Sequence, residues 1–292
     1  MTRVPRRRAG RALGGMISPH TALSVVVVLV WFATTAAPAA AQDDEEFVNW
    51  AFATWIGTGV YRVEDRRLTI FRIPIAVPLP ALKDGKWKVK LLLPITLGVT
   101  EFDFDIDNPQ LPDRVEGFTF IPGAEVAVPM RDNWTLKPFA QIGFGKLFGG
   151  GDPALIYGAG LKSLASWPWR RYTFSFGARV MGAGQDVDDN NKGFALFEVG
   201  LDTRLPGQIK IRGHGYDFSV FAIFTRFSDD VDFVAPPGEQ PVELKRMTHV
   251  GFTIGPKEPF AIWRFDIPRV GLGYMHGDAG FNGIRFNAGF AF

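Results

Sequence analysis

The feature that most constrains this sequence is a residue-by-residue alternation between bulky apolar side chains and small, polar or charged ones. In the segment WKVKLLLPITLGV at 87–99, every odd-numbered residue is apolar, and the even-numbered residues include Lys88, Lys90 and Thr96. Such an alternation indicates a β-strand with one apolar face. The segment is longer than the usual soluble strand of about five or six residues, and its length suits a tilted strand that crosses a bilayer.

The alternation recurs along the chain and predicts one all-β domain. Because so many Phe, Trp and Leu side chains would not fit inside a narrow lumen, we predict a single transmembrane antiparallel up-and-down β-barrel with its apolar face outward. A soluble periplasmic β-protein is the alternative. We expect about twelve strands, in a range of roughly 10–14, an even number as in bacterial outer-membrane barrels. The predicted strands are approximately 47–62, 67–80, 86–100, 117–130, 134–148, 154–165, 171–183, 193–204, 209–227, 242–255, 261–275 and 280–292.

Residues 1–41 have the three parts of a secretory signal peptide. Five arginines and no acidic residue precede the apolar run LSVVVVLVWF at 23–32, and small residues follow up to Ala39 and Ala41. This pattern predicts cleavage between Ala41 and Gln42. A start at Met16 instead of Met1 would remove the arginines. We assign 42–292 to the barrel domain, exported through the inner membrane and placed in the outer membrane of a Gram-negative bacterium.

The composition excludes several classes of function. The chain has no cysteine, so it has no disulfide framework, thiolate metal site or cysteine nucleophile. Cleavage would remove five of the 32 basic residues and none of the 30 acidic ones. The barrel domain is then slightly acidic and offers no basic stripe to nucleic acid. We predict no cofactor and no metal site.

Charged residues on the less apolar strand faces are the candidate lining of the lumen. Both signs are present, so we expect either ion pairs that fill a narrow barrel or a polar channel. The candidate lumen charges are Arg72, Lys88, Lys90, Glu125, Lys137, Lys162, Arg179, Glu198, Asp202 and Arg204.

Short turns and longer polar connections roughly alternate along the chain, as periplasmic turns and external loops do in outer-membrane barrels. Tryptophans are expected in girdles at the two membrane interfaces. The candidates are Trp50, Trp55, Trp134, Trp167, Trp169 and Trp263.

The chain ends in an apolar alternation that includes Ile284, Phe286, Phe290 and Phe292. We expect these residues to share one face of the last strand. This arrangement is similar to the C-terminal assembly signal of outer-membrane barrels, with Phe286, Phe290 and Phe292 as its candidate residues, and an exposed edge strand can be read by β-augmentation. The expected partners are the barrel assembly machinery and periplasmic chaperones during biogenesis, and outer-membrane lipid and lipopolysaccharide afterwards.

Three stretches resemble the solitary outer-membrane autotransporter-like β-barrel family. They are ATWIGTGVYRVEDRRLTIFRIPIAVPL at 53–79, WKVKLLLPITLGVTEFDFD at 87–105 and FIPGAEVAVPMRDNWTLKPFAQIGFG at 120–145. The resemblance implies a twelve-strand barrel like the translocator of autotransporters. Because the first strand is expected shortly after Ala41, we expect no secreted passenger here. The resemblance carries no activity to this chain.

The sequence predicts a non-catalytic barrel that is either a passive small-solute channel or a structural protein of the cell surface. The alternative is a lipid-modifying outer-membrane enzyme, which would need a nucleophile and a base. Its candidates are Ser219, His249 and His214, which stands five residues before Ser219. No hydrolase motif surrounds these residues.

Overall fold

A computed structural model describes residues 49–63, 66–83, 85–100, 117–148, 152–188, 190–206, 209–211, 214–232, 243–256, 261–262, 265–266 and 269–292. The predicted signal peptide, its cleavage site and the acidic segment 101–116 lie outside these residues. One helix, α1 (Trp50–Ile56), precedes the strands. The strands are β1 (Gly59–Val63), β2 (Arg66–Ile73), β3 (Ala76–Leu82), β4 (Trp87–Leu92), β5 (Ile95–Thr100), β6 (Gly117–Phe120), β7 (Gly123–Arg131), β8 (Trp134–Leu147), β9 (Ala154–Trp169), β10 (Tyr172–Val187), β11 (Asn190–Arg204), β12 (Ile209–Ile211), β13 (His214–Asp232), β14 (Glu243–Pro256), β15 (Ala261–Ile262), β16 (Phe265–Asp266), β17 (Val270–Gly277) and β18 (Asn282–Ala288).

The described strands form a closed antiparallel barrel of twelve, which confirms the predicted fold. The pairs β2 with β3, β4 with β5, and β6 with β7 are halves of one barrel strand each, because the two halves pair with the same neighbouring strands. The first strand closes the barrel by pairing with the last, with Gly59 opposite Arg285 and Arg62 opposite Asn282. Closure gives each of the twelve barrel strands a neighbour on both sides, although among the described residues β3 and β12 each pair with one strand only.

Prolines cause the three interruptions, which lie side by side in neighbouring strands. Pro74, Pro94 and Pro122 fall between the paired halves, and a proline has no N–H to donate to the ladder. Other backbone groups bridge the gaps: the N–H of Leu93 donates to the carbonyl of Ile75 at 2.8 Å. The barrel wall therefore continues across the prolines.

The two faces of the wall differ as the alternation predicts. The outer face exposes large apolar side chains on most strands, including Phe71, Ile142, Phe176 and Phe286, which is 61% exposed. The inner face buries polar side chains such as Thr96, Thr119, Glu198 and His249, along with other polar residues on β10, β11, β13 and β14. Bulky side chains thus lie outside and polar ones inside over much of the wall, but bulky apolar residues such as Phe194, Phe227 and Met275 are also buried in the interior.

The predicted first strand, 47–62, was wrong over its first half. The segment from Trp50 to Ile56 is the helix α1, and its residues from Ala51 to Ile56 are buried. The side chain of Asn49 caps the helix by accepting a hydrogen bond from the N–H of Phe52 at 2.9 Å, a typical N-cap. Trp55 is 6% exposed, so its predicted place in an interfacial girdle was also wrong.

The helix lies inside the barrel, where it builds an apolar core. Its Phe52 ring contacts Trp55, Phe194 and Phe227 at centroid distances of 5.7, 6.2 and 6.0 Å. This core extends to Met181, Leu196, Leu244, Met247 and Met275. Eight strands leave an interior that side chains alone can fill, and diameter grows with strand number. Twelve strands leave room that α1 occupies.

The end of the chain departs from the predicted strand 280–292. The last strand stops at Ala288, and Gly289 has φ +89°, a backbone conformation that favours glycine. Ile284 and Phe286 face outward as expected, but Phe292 is 6% exposed and contacts the lumen position of Gly177. The expectation that Phe286 and Phe292 share one face was therefore wrong. The assembly signal itself stays a prediction.

Two other predicted strands are divided. The segment 209–227 contains the short strand β12 and the first part of the much longer β13, and the segment 261–275 contains the small β15–β16 hairpin before β17. Trp167 and Trp169 end β9, exposed by 41% and 54%, beside the turn that begins at Arg170. Trp263 and the side chain of Trp50 lie outside the described residues. In the described part of the chain, no helix is long and apolar enough to cross a membrane.

Candidate functional site: the barrel lumen

The candidate functional site is a cavity of about 820 Å³ inside the barrel. Helix α1 borders it on one side through Thr54, Trp55 and Gly57, and the final residues of the chain, 289–292, border it on the other. The wall between them contributes its charged lining: Arg72, Lys90, Glu125, Lys137, Lys162, Arg179 and Arg285. Six of these seven side chains are basic, so the cavity is electropositive.

Cross-strand register brings most of these charges into one row. Lys137 of β8 lies opposite Lys162 of β9, and Lys162 lies opposite Arg179 of β10. At one end of the row Arg179 lies opposite Glu198. On the other side of β8, Lys90 of β4 lies opposite Glu125 of β7. The row thus sets three cations side by side, an arrangement that is unfavourable on a strand face.

Two carboxylates neutralise part of this row. Lys162 Nζ donates to Glu125 Oε2 at 2.8 Å, and the Arg179 guanidinium forms an ion pair with the Glu198 carboxylate, which is buried. Thr225 Oγ1 donates to the other oxygen of Glu198 at 2.9 Å. Lys137 Nζ donates to the main-chain oxygen of Phe292 at 3.1 Å. These contacts also fasten the end of the chain to the barrel wall.

Three further cations of the cavity have no acidic partner. Within the described residues, Arg72, Lys90 and Arg285 form no ion pair. The Nε atoms of Arg72 and Arg285 are buried there without a hydrogen-bond partner. Arg285 packs at the end of α1, where its guanidinium lies 3.1–3.4 Å from the point at which a Cβ of Gly57 would stand. Leaving a buried charged donor unsatisfied is costly.

A second polar cluster in the lumen is balanced in charge. Arg269 donates to the Asp217 carboxylate at 2.7 Å and to Thr253 Oγ1 at 3.1 Å. Arg204 lies 3.6 Å from the other oxygen of Asp217, and Asp202 is buried. Two arginines and two aspartates therefore balance in charge here, although Asp202 Oδ1 is buried without a hydrogen-bond partner among the described residues.

The structure separates the predicted lumen charges into three groups. Arg72, Lys90, Glu125, Lys137, Lys162 and Arg179 line the cavity, with Glu198 behind Arg179. Asp202 and Arg204 belong to the balanced cluster. Lys88 is exposed and does not line the cavity.

Sequence reasoning missed Arg285 and the pair of Asp217 with Arg269. Arg285 alternates with the apolar Ile284 and Phe286, so the pattern that predicts the last strand also places Arg285 on the inner face. Arg269 precedes β17 and lies outside the strand, where no alternation indicates its direction. Its role depends on the contact with Asp217, which is distant in sequence.

Among the described side chains, Ser219 and His249 are not hydrogen-bonded to each other as a nucleophile and a base would be. The Ser219 hydroxyl is hydrogen-bonded to Thr253 Oγ1 at 2.8 Å. His249 packs edge-to-face on Phe221 at 4.9 Å, and its Nε2 lies 3.5 Å from the amide of Asn287. No hydrogen bond between Ser219 and a histidine occurs among the described residues, which do not include the side chain of His214.

Comparisons with known proteins give a fold-level likeness without a family. No family model and no curated protein matches the chain. Among solved structures it is similar to the beta domain of the Bordetella autotransporter Brka, with 12% identity, coverage of 78% of this chain and 95% of that chain, and a TM-score of 0.44. It is also similar to LpxR from Salmonella typhimurium, with 12% identity, coverage of 78% and 90%, and a TM-score of 0.42. The resemblance to the solitary autotransporter-like family stays a prediction.

Proposed function

We propose that this protein is an integral, non-catalytic β-barrel of the outer membrane that passes small solutes when helix α1 leaves the lumen. The observation that carries the location is the belt of exposed apolar side chains around a closed barrel. It includes Phe71, Leu155, Phe197 and Phe224, each at least 38% exposed. Soluble monomers rarely expose contiguous apolar patches larger than about a few hundred Å². Lipid is the solvent that this surface fits.

The outer-membrane location can be tested with two matched substitutions in the full chain, expressed in a Gram-negative host. Arginine at the middle of a lipid face costs about 2–4 kcal/mol and near the interface about 0–1 kcal/mol. Phe224→Arg, within β13, should therefore reduce the folded protein in the outer-membrane fraction. Phe148→Arg, just beyond the end of β8, should not. Recovery of the wild-type protein from the periplasm without detergent would contradict the proposal.

The passage of solutes is supported by the polar lumen and by the way α1 fills one side of it. The polar contacts of the helix include a hydrogen bond from Ala51 N–H to Gln185 Oε1 at 3.2 Å and one between the Thr54 and Thr119 hydroxyls at 3.2 Å. The Tyr61 hydroxyl also donates to the carbonyl of Ile56 at 3.2 Å. In planar bilayers we expect small and rare current steps from the wild type. Phe52→Ala/Trp55→Ala should raise the open fraction, and silence of both proteins would contradict the channel.

The absence of catalysis is part of the proposal and has its own test. Ser219 is hydrogen-bonded to Thr253 and not to a described histidine. We expect the lipid A and phospholipid composition of the host to be the same with the wild type and with Ser219→Ala, His249→Ala or His214→Ala. A change in lipid composition that requires Ser219 and one of the histidines would contradict the absence of catalysis and would support a lipid-modifying enzyme.

A further inference from the structure

We propose that the electropositive cavity binds a small phosphorylated anion. The inference concerns binding inside the folded barrel, and it holds whether or not solutes cross the barrel. It rests on three observations: a row of like charges in register, cations without partners, and the size and chemistry of the cavity wall.

The row of cations is energetically costly. Lys137, Lys162 and Arg179 lie directly opposite one another on three neighbouring strands, and like charges in directly opposed positions destabilise a sheet. Arg72 and Arg285 add same-sign charge that acts on this row. Among the described residues, Glu125 is ion-paired with Lys162, Glu198 is ion-paired with Arg179, and Lys137 donates to the main-chain oxygen of Phe292. An anion in the cavity would relieve the remaining repulsion.

The other cluster in the same lumen shows that the barrel can neutralise its charges. There, Asp217 accepts from Arg269 and lies close to Arg204, so arginines and carboxylates match. Compared with this cluster, the cavity between α1 and residues 289–292 has an excess of cations among the described residues. If the charged side chains of the cavity served only to fill the lumen, equal numbers of cations and carboxylates would have sufficed there, as they do in the Asp217–Arg269 cluster.

Arginine identifies the class of anion. A guanidinium presents its donors as a planar fork that matches two oxygens of a phosphate or a carboxylate. Arg72 and Arg285 both line the cavity, and neither forms an ion pair among the described residues, so their guanidinium groups are available for such an anion. Lysines bind phosphate as point charges, and Lys90, which lies opposite Glu125, forms no ion pair among the described residues. Together they favour a dianion such as a phosphate monoester.

The remaining wall fits an organic part of the ligand. Apolar groups of Trp55, Ile121, Phe139 and Ile156 line the same cavity. Its volume of about 820 Å³ lies within the range of about 300–1,000 Å³ for small-molecule sites. A phosphorylated metabolite of modest size would place its phosphate at the arginines and its organic part against these side chains.

The test is isothermal titration calorimetry of the full chain, processed by its host and purified in a zwitterionic detergent. The probes are inorganic pyrophosphate and glycerol phosphate, with glycerol as the uncharged comparison. We expect saturable binding of both anions and none of glycerol. Arg72→Gln/Arg285→Gln should weaken the binding of pyrophosphate by at least about tenfold, which corresponds to about 1.4 kcal/mol.

The matched control removes the same charge elsewhere. Lys245 and Arg246 lie on β14 with side chains 61% and 69% exposed, and Lys245→Gln/Arg246→Gln should bind pyrophosphate as the wild type does. If the control variant lost as much affinity for pyrophosphate, the loss would be explained by the change in net charge alone, and the proposal would be overturned. Absence of saturable binding to the wild type at millimolar pyrophosphate would also overturn it.

A conservative variant keeps the test decisive if the double variant does not fold. Arg72→Lys retains the charge but loses the fork, so we expect it to fold with heat-modifiable migration and to bind pyrophosphate several-fold more weakly. Unchanged affinity in Arg72→Lys would contradict the role of the guanidinium. All these measurements are made in detergent, so their failure would leave the proposed membrane location untouched.

Discussion

Removal of one ring from the core of α1 should release the helix from the lumen without unfolding the barrel. Phe52 is 1% exposed and contacts three aromatic rings within the barrel. Truncation of a buried Phe to Ala costs about 3–5 kcal/mol. A helix of seven residues does not persist alone. The cost of Phe52→Ala therefore falls on the docking of α1, while the strand ladders stay intact.

The free-energy cost of Phe52→Ala can be measured as a rate of thiol labelling. Because the chain contains no cysteine, an introduced cysteine is the only thiol that reacts. Thr54→Cys places a single thiol on α1 at a position that is 7% exposed. If labelling by a maleimide requires undocking of the helix, the rate follows the undocked population. A loss of about 3 kcal/mol then corresponds to roughly a hundredfold faster labelling. The assay is gel-shift labelling of Thr54→Cys with and without Phe52→Ala, at matched protein concentration.

The control is the same truncation on the opposite face of the wall. Phe144 lies on β8 and is 46% exposed on the outer surface, so Phe144→Ala should leave the labelling of Thr54→Cys unchanged. Equal labelling rates in the Phe52→Ala and parent backgrounds would refute the view that this core holds α1 in the lumen. Loss of heat-modifiable migration in Phe52→Ala would show instead that α1 supports the whole barrel.

Three more results are expected from the described structure. Arg179→Gln leaves the buried carboxylate of Glu198 without its ion pair, so it should lower the free energy of unfolding by about 3 kcal/mol, measured by denaturation in detergent. Gly160→Ala should lower the unfolding midpoint more than Gly158→Ala, because a Cβ at 160 would collide with backbone atoms of β10, while a Cβ at 158 meets its nearest atom at 3.4 Å. In a variant with Trp167 as its only tryptophan, brominated lipid should quench the tryptophan fluorescence, because this side chain is exposed near one end of the barrel.

The strands could be predicted from the sequence because lipid imposes a local rule. Most of the outward positions, such as Phe71 and Ile284, are large and apolar, and their neighbours on the inner face were free to be small or polar. Strand identity, the even number and closure follow from this rule, since a bilayer leaves no backbone group unpaired. The rule acts residue by residue, so a single sequence displays it.

The helix could not be recognised by the same rule. In the segment WAFATWI at 50–56, apolar residues stand at almost every position, so a strand pattern could be drawn through it. Two signals favour a helix: Asn49 as an N-cap, and an apolar surface on all sides, which is typical of a helix buried in protein. The all-round apolar surface of the segment indicates a helix clearly only once it is known that a twelve-strand barrel has interior space to bury one.

The chemistry of the lumen was accessible from the sequence only in part. Alternation places Lys137, Lys162 and Arg179 on the inner face, but it does not say which residue stands opposite which. Their juxtaposition depends on register, which is set by the shear of the closed barrel. Pairing decides whether a lumen charge is neutralised, as Glu198 neutralises Arg179, or left to meet a ligand, as at Arg72. The outer half of the alternation therefore predicts the strands and their apolar surface from single residues, whereas the charge pairs of the inner half depend on closure of the whole barrel.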